Sequence, residues 1–336
     1  MIRKALLIFV VGVLYAQSHA SKGSEEEVSC SYINPPDIIK LESWLAGSEA
    51  QIDRERANLS SHKAGSEAYL IYEEAINRLR WNQHVKLAQI QILNNNANGY
   101  SKSVEVLQQL LDSESDEYSY FDLLILDVLA SDQPGLVGFD HEVIKRAIEY
   151  TQRNRSEHDL FNMYSDVASS LYSIILSDSA DYLQAFRDAQ DLKSSYYQAF
   201  LKYKKAINNN SVGLYQDAID TIQAGLDGKV FEACQPAVVG KLNLYLSDAL
   251  HQLGELMSKD QEKYSDQDVE RVLHSAKTVA DRTSRYFDPM YVPGLWSRSY
   301  SQKAGIYESL MPYAKSWEVP RFEAINNRAS HLATIY

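Results

Sequence analysis

From Asp37 onward, apolar side chains recur at three- and four-residue spacing, the period of a helix that turns one face to a core. Tyr69, Tyr72, Ala75, Ile76 and Leu79 form one stripe; Val85, Leu87, Ala88, Ile90 and Ile92 form a second, wider one; Val104, Leu107, Leu110 and Leu111 form a third. Further stripes run from Tyr118 to Leu129, Val143 to Tyr150, Leu160 to Leu176, Tyr182 to Ile207, Tyr215 to Leu226, Val238 to Met257, Val269 to Tyr286, Trp296 to Leu310 and Phe322 to Leu332. Alternation of period two is nowhere sustained enough to predict a strand. Helices of this kind need a neighbour on the apolar face to be stable. The pattern therefore predicts an all-α fold of about 12 helices.

The breaks between stripes are short, which favours antiparallel neighbours. Asn94 to Gly99 forms one Asn-rich turn and Asn208 to Gly213 a second. In both, the Gly near the end is expected to allow the left-handed backbone that a tight helix-to-helix turn requires, a region Asn tolerates better than other side chains. Asp140, with Glu142 in the following turn, fits a helix N-cap; Ser265-x-x-Asp268 fits a capping box; Pro236 fits the first position of a helix. Longer breaks at Ser131 to Asp140, Asp227 to Pro236 and Ser258 to Asp266 are expected bends or insertions.

After the second Asn-rich turn the chain reads Gly213-x-Tyr215-x-x-Ala218-x-x-x-Ile222-x-x-Gly225-Leu226. This resembles the second helix of a tetratricopeptide repeat (TPR), with Gly225 where that family usually has Ala. Gly99-Tyr100-x-x-Ser103-x-x-x-Leu107 is a looser copy and Tyr182-x-x-Ala185-x-x-x-Ala189 a third. Gly305-x-Tyr307-x-x-Leu310 is a fourth and weaker one. The family's first-helix signature is absent upstream of Gly213, where only Ala206 fits. The resemblance covers about a third of the chain and implies antiparallel helix pairs stacked as a TPR-like α-solenoid, with Gly99, Tyr100, Leu107, Tyr182, Ala185, Gly213, Tyr215, Ala218 and Ile222 packing the repeats.

The first twenty residues change the picture from a helical protein to an exported one. Arg3 and Lys4 precede an apolar run from Ala5 to Tyr15, and Ser18-His19-Ala20 is a small-x-small site of the kind signal peptidase accepts. A run of about 11 residues is too short for the roughly 20 of a spanning helix. Residues 1–20 are thus expected to be a signal peptide, 21–36 a polar arm, and 37–336 a single helical repeat domain, periplasmic or secreted. Export makes the chain's two cysteines, Cys30 and Cys234, candidates for a disulfide; a pair of buried thiols is the alternative.

Thirty-three Lys and Arg against 45 Asp and Glu give a net charge of −12, which argues against nucleic acid or an anionic membrane surface as partner. The sequence contains no His-Glu-x-x-His, no Gly-x-Ser-x-Gly elbow, no phosphate-cradling loop and no dinucleotide fingerprint. No catalytic residue, metal ligand or cofactor is therefore assigned. Tyr is abundant, 23 against 9 Phe and 4 Trp. Tyr196, Tyr197, Tyr203 and Trp296 either pack between helices or line a recognition groove. The function expected is that of a binding or scaffold protein for a protein or peptide partner. The alternative is a carbohydrate-active helical toroid of the alginate-lyase type: Asn326-Asn327 resembles the start of that family's Asn-Asn-His-x-Tyr-Trp run, but Arg328, Ala329 and Ser330 follow.

Overall fold

A computed structural model describes residues 36–113, 117–133, 135–154, 164–171, 195–228, 231 and 234–335. Among these residues there is no strand, and the helices follow one another closely. They are α1 (Ile38–Ser60), α2 (Glu67–Leu93), α3 (Ala97–Ser113), α4 (Glu117–Ser131), α5 (His141–Arg153), α6 (Ser195–Asn209), α7 (Val212–Asp227), α8 (Pro236–Ser258), α9 (Asp266–Thr283), α10 (Pro293–Leu310) and α11 (Val319–Ala333). Residues 164–171 are also helical. The first two stripes of the sequence belong to one long helix, α2.

Local chemistry sets the boundaries as the sequence predicts. The Asp140 carboxylate accepts from Glu142 N–H, Ser265 and Asp268 form a reciprocal capping box, and Pro236 opens α8, where its missing N–H costs nothing. The two Asn-rich turns also fall where expected, but their mechanism differs. The left-handed residue is Asn95 in one (φ 50°) and Asn210 in the other (φ 47°), not Gly99 or Gly213, which lie inside the first turns of α3 and α7. Among non-glycine residues, Asn adopts this conformation at comparatively low steric cost. Asn96 then caps α3, its side chain accepting from Gly99 N–H at 3.0 Å.

Successive helices pack as neighbours from α1 to α3, from α4 to α5 and from α6 to α11, and alternate helices also touch: α2 meets α4, α6 meets α8, and α8 meets α10. This divides them into an inner and an outer row. Inner α8 buries 13 residues on nearly every side, including Val238, Leu242, Tyr245, Leu246 and Ala249. Outer α9 buries one stripe, Val269, Leu273, Ala276, Val279, Ala280 and Thr283, and gives its other face to water. The two repeat-like helices α3 and α7 carry matching buried positions: Tyr100, Ser103 and Leu107 in one, Tyr215, Ala218 and Ile222 in the other. Each Tyr lies five residues after its left-handed Asn. Tyr307 and Leu310 are buried too, but Gly305 stands in the middle of inner α10, so this fourth motif is not a post-turn helix. Tyr182 and Ala185 lie outside the described residues.

The inner row does not stay open. α10 returns to α2, and a Cβ at Gly294 would stand 2.7 Å from the Leu93 carbonyl oxygen, so only glycine permits this approach. A second apolar core seals the junction with Ile38 and Leu41 of α1, Ile90 and Leu93 of α2, Ala237 and Leu244 of α8, and Phe287, Val292 and Leu295. Across the remaining side, Lys204 of α6 donates to the Ser131 carbonyl at the end of α4. The inner face is thereby turned into an interior.

Candidate functional site

That interior holds charge. Asp132, just past the end of α4, is 4% exposed and is gripped by Lys241 of α8 at 2.6 Å. Tyr245, one turn further along α8, donates to its other carboxylate oxygen at 2.6 Å. Arg298 of α10 donates through Nη1 to the Asp132 carbonyl and stands 3.5 Å from the carboxylate. Lys241 also bonds Tyr196, whose hydroxyl lies 3.1 Å from that of Tyr245. The proton order follows: Lys241 donates to Tyr196, Tyr196 to Tyr245, and Tyr245 to Asp132. Alongside, Tyr203 stacks on Tyr245 with centroids 4.8 Å apart and donates to Asp248 at 2.6 Å.

Helical spacing builds this cluster. Tyr196, Phe200, Tyr203 and Lys204 follow i, i+4, i+7, i+8 on α6, and Lys241, Tyr245 and Asp248 follow i, i+4, i+7 on α8, so each set shares one face. Burial pushes the Asp132 carboxyl upward, but Lys241, Arg298 and Lys204 together outweigh it and hold the group below the usual carboxylate range. Burial works against the Lys241 cation, and Asp132 more than compensates. Lys204 is the exception: desolvation wins and its ammonium is held below its ordinary range. Burial lifts the phenols of Tyr197, Tyr203 and Tyr245 far above theirs, so all three act as neutral hydroxyls.

Tyr196, Tyr197 and Tyr203 are thus brought together, but as interior walls, 4%, 4% and 1% exposed, rather than as an open groove. Trp296 is separate: it is half-buried on α10, packs on Tyr300 at 4.6 Å and belongs to the second core. Asp132, Lys204, Lys241, Tyr245, Asp248 and Arg298 belong to none of the motifs sought in the sequence and were missed by sequence reasoning. A signal for three of them exists: Lys241 and Asp248 lie on the same helical face as Tyr245, in a stretch of α8 that also carries Leu242, Leu244 and Leu246.

Three other constellations complete the chemistry. Asp281 of α9 accepts from Lys303 of α10 at 2.8 Å, from Lys277 at 3.3 Å and from Tyr307 at 3.1 Å. His251 Nε2, Ser309 Oγ and Glu255 form a short chain, 2.8 Å and 2.6 Å, but Ser309 donates to the carboxylate and the carboxylate does not orient the far ring nitrogen, so this is not a nucleophilic triad. Asp127 is largely buried with no cation paired to it among the described residues, and desolvation pushes its carboxyl up to about 7. Among the described residues no group of three or more His, Cys, Asp or Glu could hold a metal ion.

Beside the buried cluster a cleft of about 360 Å³ opens between α10, α11 and the Asn95 turn, with Arg298 in its wall. Asn326 and Asn327 lie on outer α11, whereas the charged cluster is built by α6, α8, α10 and the end of α4. Cys234 is buried, and Cys30 lies outside the described residues. No described helix is long and apolar enough to cross a membrane. Comparison with protein-family models, curated proteins and solved structures yields no match for this chain.

Proposed function

We propose that this chain is an exported, non-enzymatic binding or scaffold protein built from TPR-like helix pairs, acting on a protein or peptide partner in the cell envelope or outside the cell. The observation that carries this reading is the division into inner and outer helices, with Tyr100, Ser103 and Leu107 matching Tyr215, Ala218 and Ile222 after equivalent Asn turns. Stacked helix pairs expose long surfaces whose side chains vary without disturbing the core, which suits recognition. Export rests on Arg3, Lys4, the apolar run to Tyr15 and Ser18-His19-Ala20. A Cys30–Cys234 bridge belongs with it, since an oxidising compartment favours pairing of the chain's two cysteines.

The test is cross-linking of tagged mature protein in the envelope and medium of its native host, followed by re-binding of each captured protein in purified form. A partner that re-binds with saturation is the expected result. Recovery of the bait alone from both fractions counts against the reading. Intact mass before and after reduction, measured on protein made in an oxidising compartment, tests the bridge separately.

A further inference from the structure

We propose that the cleft beside Arg298 is a binding site for a small hydroxylated monocarboxylate. The cleft is walled by Ser297, Arg298 and Ser301 of α10, by Ser330 and Thr334 on the α11 side, and by Asn95. Its volume of about 360 Å³ lies in the range of small-molecule sites. Among the described residues Arg298 is the one charged side chain in the wall, and no carboxylate of a described residue lines it, in a chain whose net charge is −12. The cleft therefore runs against the sign of the protein around it.

The guanidinium is only half used. Both of its hydrogen bonds to described residues, to the Asp132 carbonyl and carboxylate, pass through Nη1. Nε and Nη2 make no hydrogen bond to a described residue, and together they form the edge that pairs side-on with a planar carboxylate. Packing fixes that edge: Arg298 is held from behind by Asp132, and its side chain is 16% exposed. The interior cluster thus acts as the clamp that aims the donor.

Charge and shape narrow the ligand. Lys204, Lys241 and Arg298 set three cations against the two carboxylates of Asp132 and Asp248, which leaves one positive charge for a ligand, so a phosphate dianion is disfavoured relative to a carboxylate. Next to the guanidinium, the Ser301 hydroxyl and the Asn95 side-chain amide make no hydrogen bond to a described residue and offer donors and acceptors to ligand hydroxyls. Ser297 is spent on the Ala333 carbonyl at 2.5 Å and Thr334 on the His331 carbonyl. The same carboxylate could come from a free hydroxy acid or from the C-terminus of a polypeptide. The inference goes beyond the scaffold reading and stands whether or not a protein partner is found.

Calorimetric titration of the mature chain with gluconate, lactate, acetate, inorganic phosphate, and a short peptide in C-terminal acid and amide forms is the test. Gluconate is expected to bind more tightly than acetate, with phosphate weaker than either. Preference for the free-acid peptide over gluconate would assign the carboxylate to a polypeptide end. Ser301→Leu fills the cleft from an exposed position and should weaken binding about tenfold or more, as should Arg298→Gln through loss of a charge-assisted pair. Since Arg298→Gln also loosens Asp132, Ser301→Leu carries the decision, with its circular dichroism and melting checked against the parent. Unchanged affinity in folded Ser301→Leu overturns the proposal, as does phosphate binding at least as tightly as gluconate, or no heat from any ligand.

Discussion

Asp132 and Asp281 are made from the same parts. Each carboxylate lies between two cations, Lys241 and Arg298 for one, Lys277 and Lys303 for the other, and each accepts from a tyrosine, Tyr245 or Tyr307. What separates them is depth: the Asp132 side chain is 4% exposed and joins α6, α8 and α10 across the interior, whereas Asp281 is 34% exposed at the α9–α10 seam. In water-accessible surroundings an ion pair contributes little, because solvent already satisfies both ions. In the interior the pair itself adds modest net stability, but its loss strands charges that nothing else can solvate.

Asp132→Asn should therefore have the largest effect, about 3–5 kcal/mol of lost stability by chemical denaturation, since Lys241 and Arg298 would remain buried without their anion. A cost near that of Asp281→Asn would break the comparison. Next comes pH, where Asp127 supplies a control with burial and no cation. Its carboxyl is raised to about 7, so its stabilising contribution is full below the usual carboxylate range and is lost as pH rises toward 7. The shift corresponds to at most about 4 kcal/mol. Asp127→Asn should flatten that limb of a pH–stability curve. Asp132 has the opposite sign: its lowered pKa gives stability that is present above the usual carboxylate range and is lost on acidification. Loss of both limbs together in Asp127→Asn would show the assignment to be wrong.

Tyr245→Phe should cost about 1–3 kcal/mol, because it removes a donor from a buried carboxylate and an acceptor from Tyr196. The matching change at the shallower site, Tyr307→Phe, should cost about 1 kcal/mol or less. Smallest is Asp281→Asn, within about 1 kcal/mol and further reduced at high salt. Urea midpoints for both tyrosine variants and salt-dependent melts of Asp281→Asn give these values.

The helices themselves were legible because their signal is local. Periodicity marked the stripes, and Asp140, Ser265 and Pro236 announced their helix starts. The turns were legible in position but not in mechanism: Gly99 and Gly213 looked like the left-handed residues, while Asn95 and Asn210 take that role. The site was nearly invisible. Tyr196, Tyr197 and Tyr203 could be read as packing residues, but whether a Lys241 or an Arg298 faces water depends on the return of α10 to α2, a contact between chain segments some 200 residues apart. Spacing along a helix carries no information about that closure.

The return also limits how this protein can vary. A stack with two free ends can lengthen or shorten by a unit without disturbing the remainder, much as a spiral stair can gain a step. Here Gly294 must reach Leu93 and Arg298 must reach Asp132 at the same time. The number of helix pairs behaves as the circumference of a hoop, and an inserted or deleted pair would spring the hoop open and flood its charges with water.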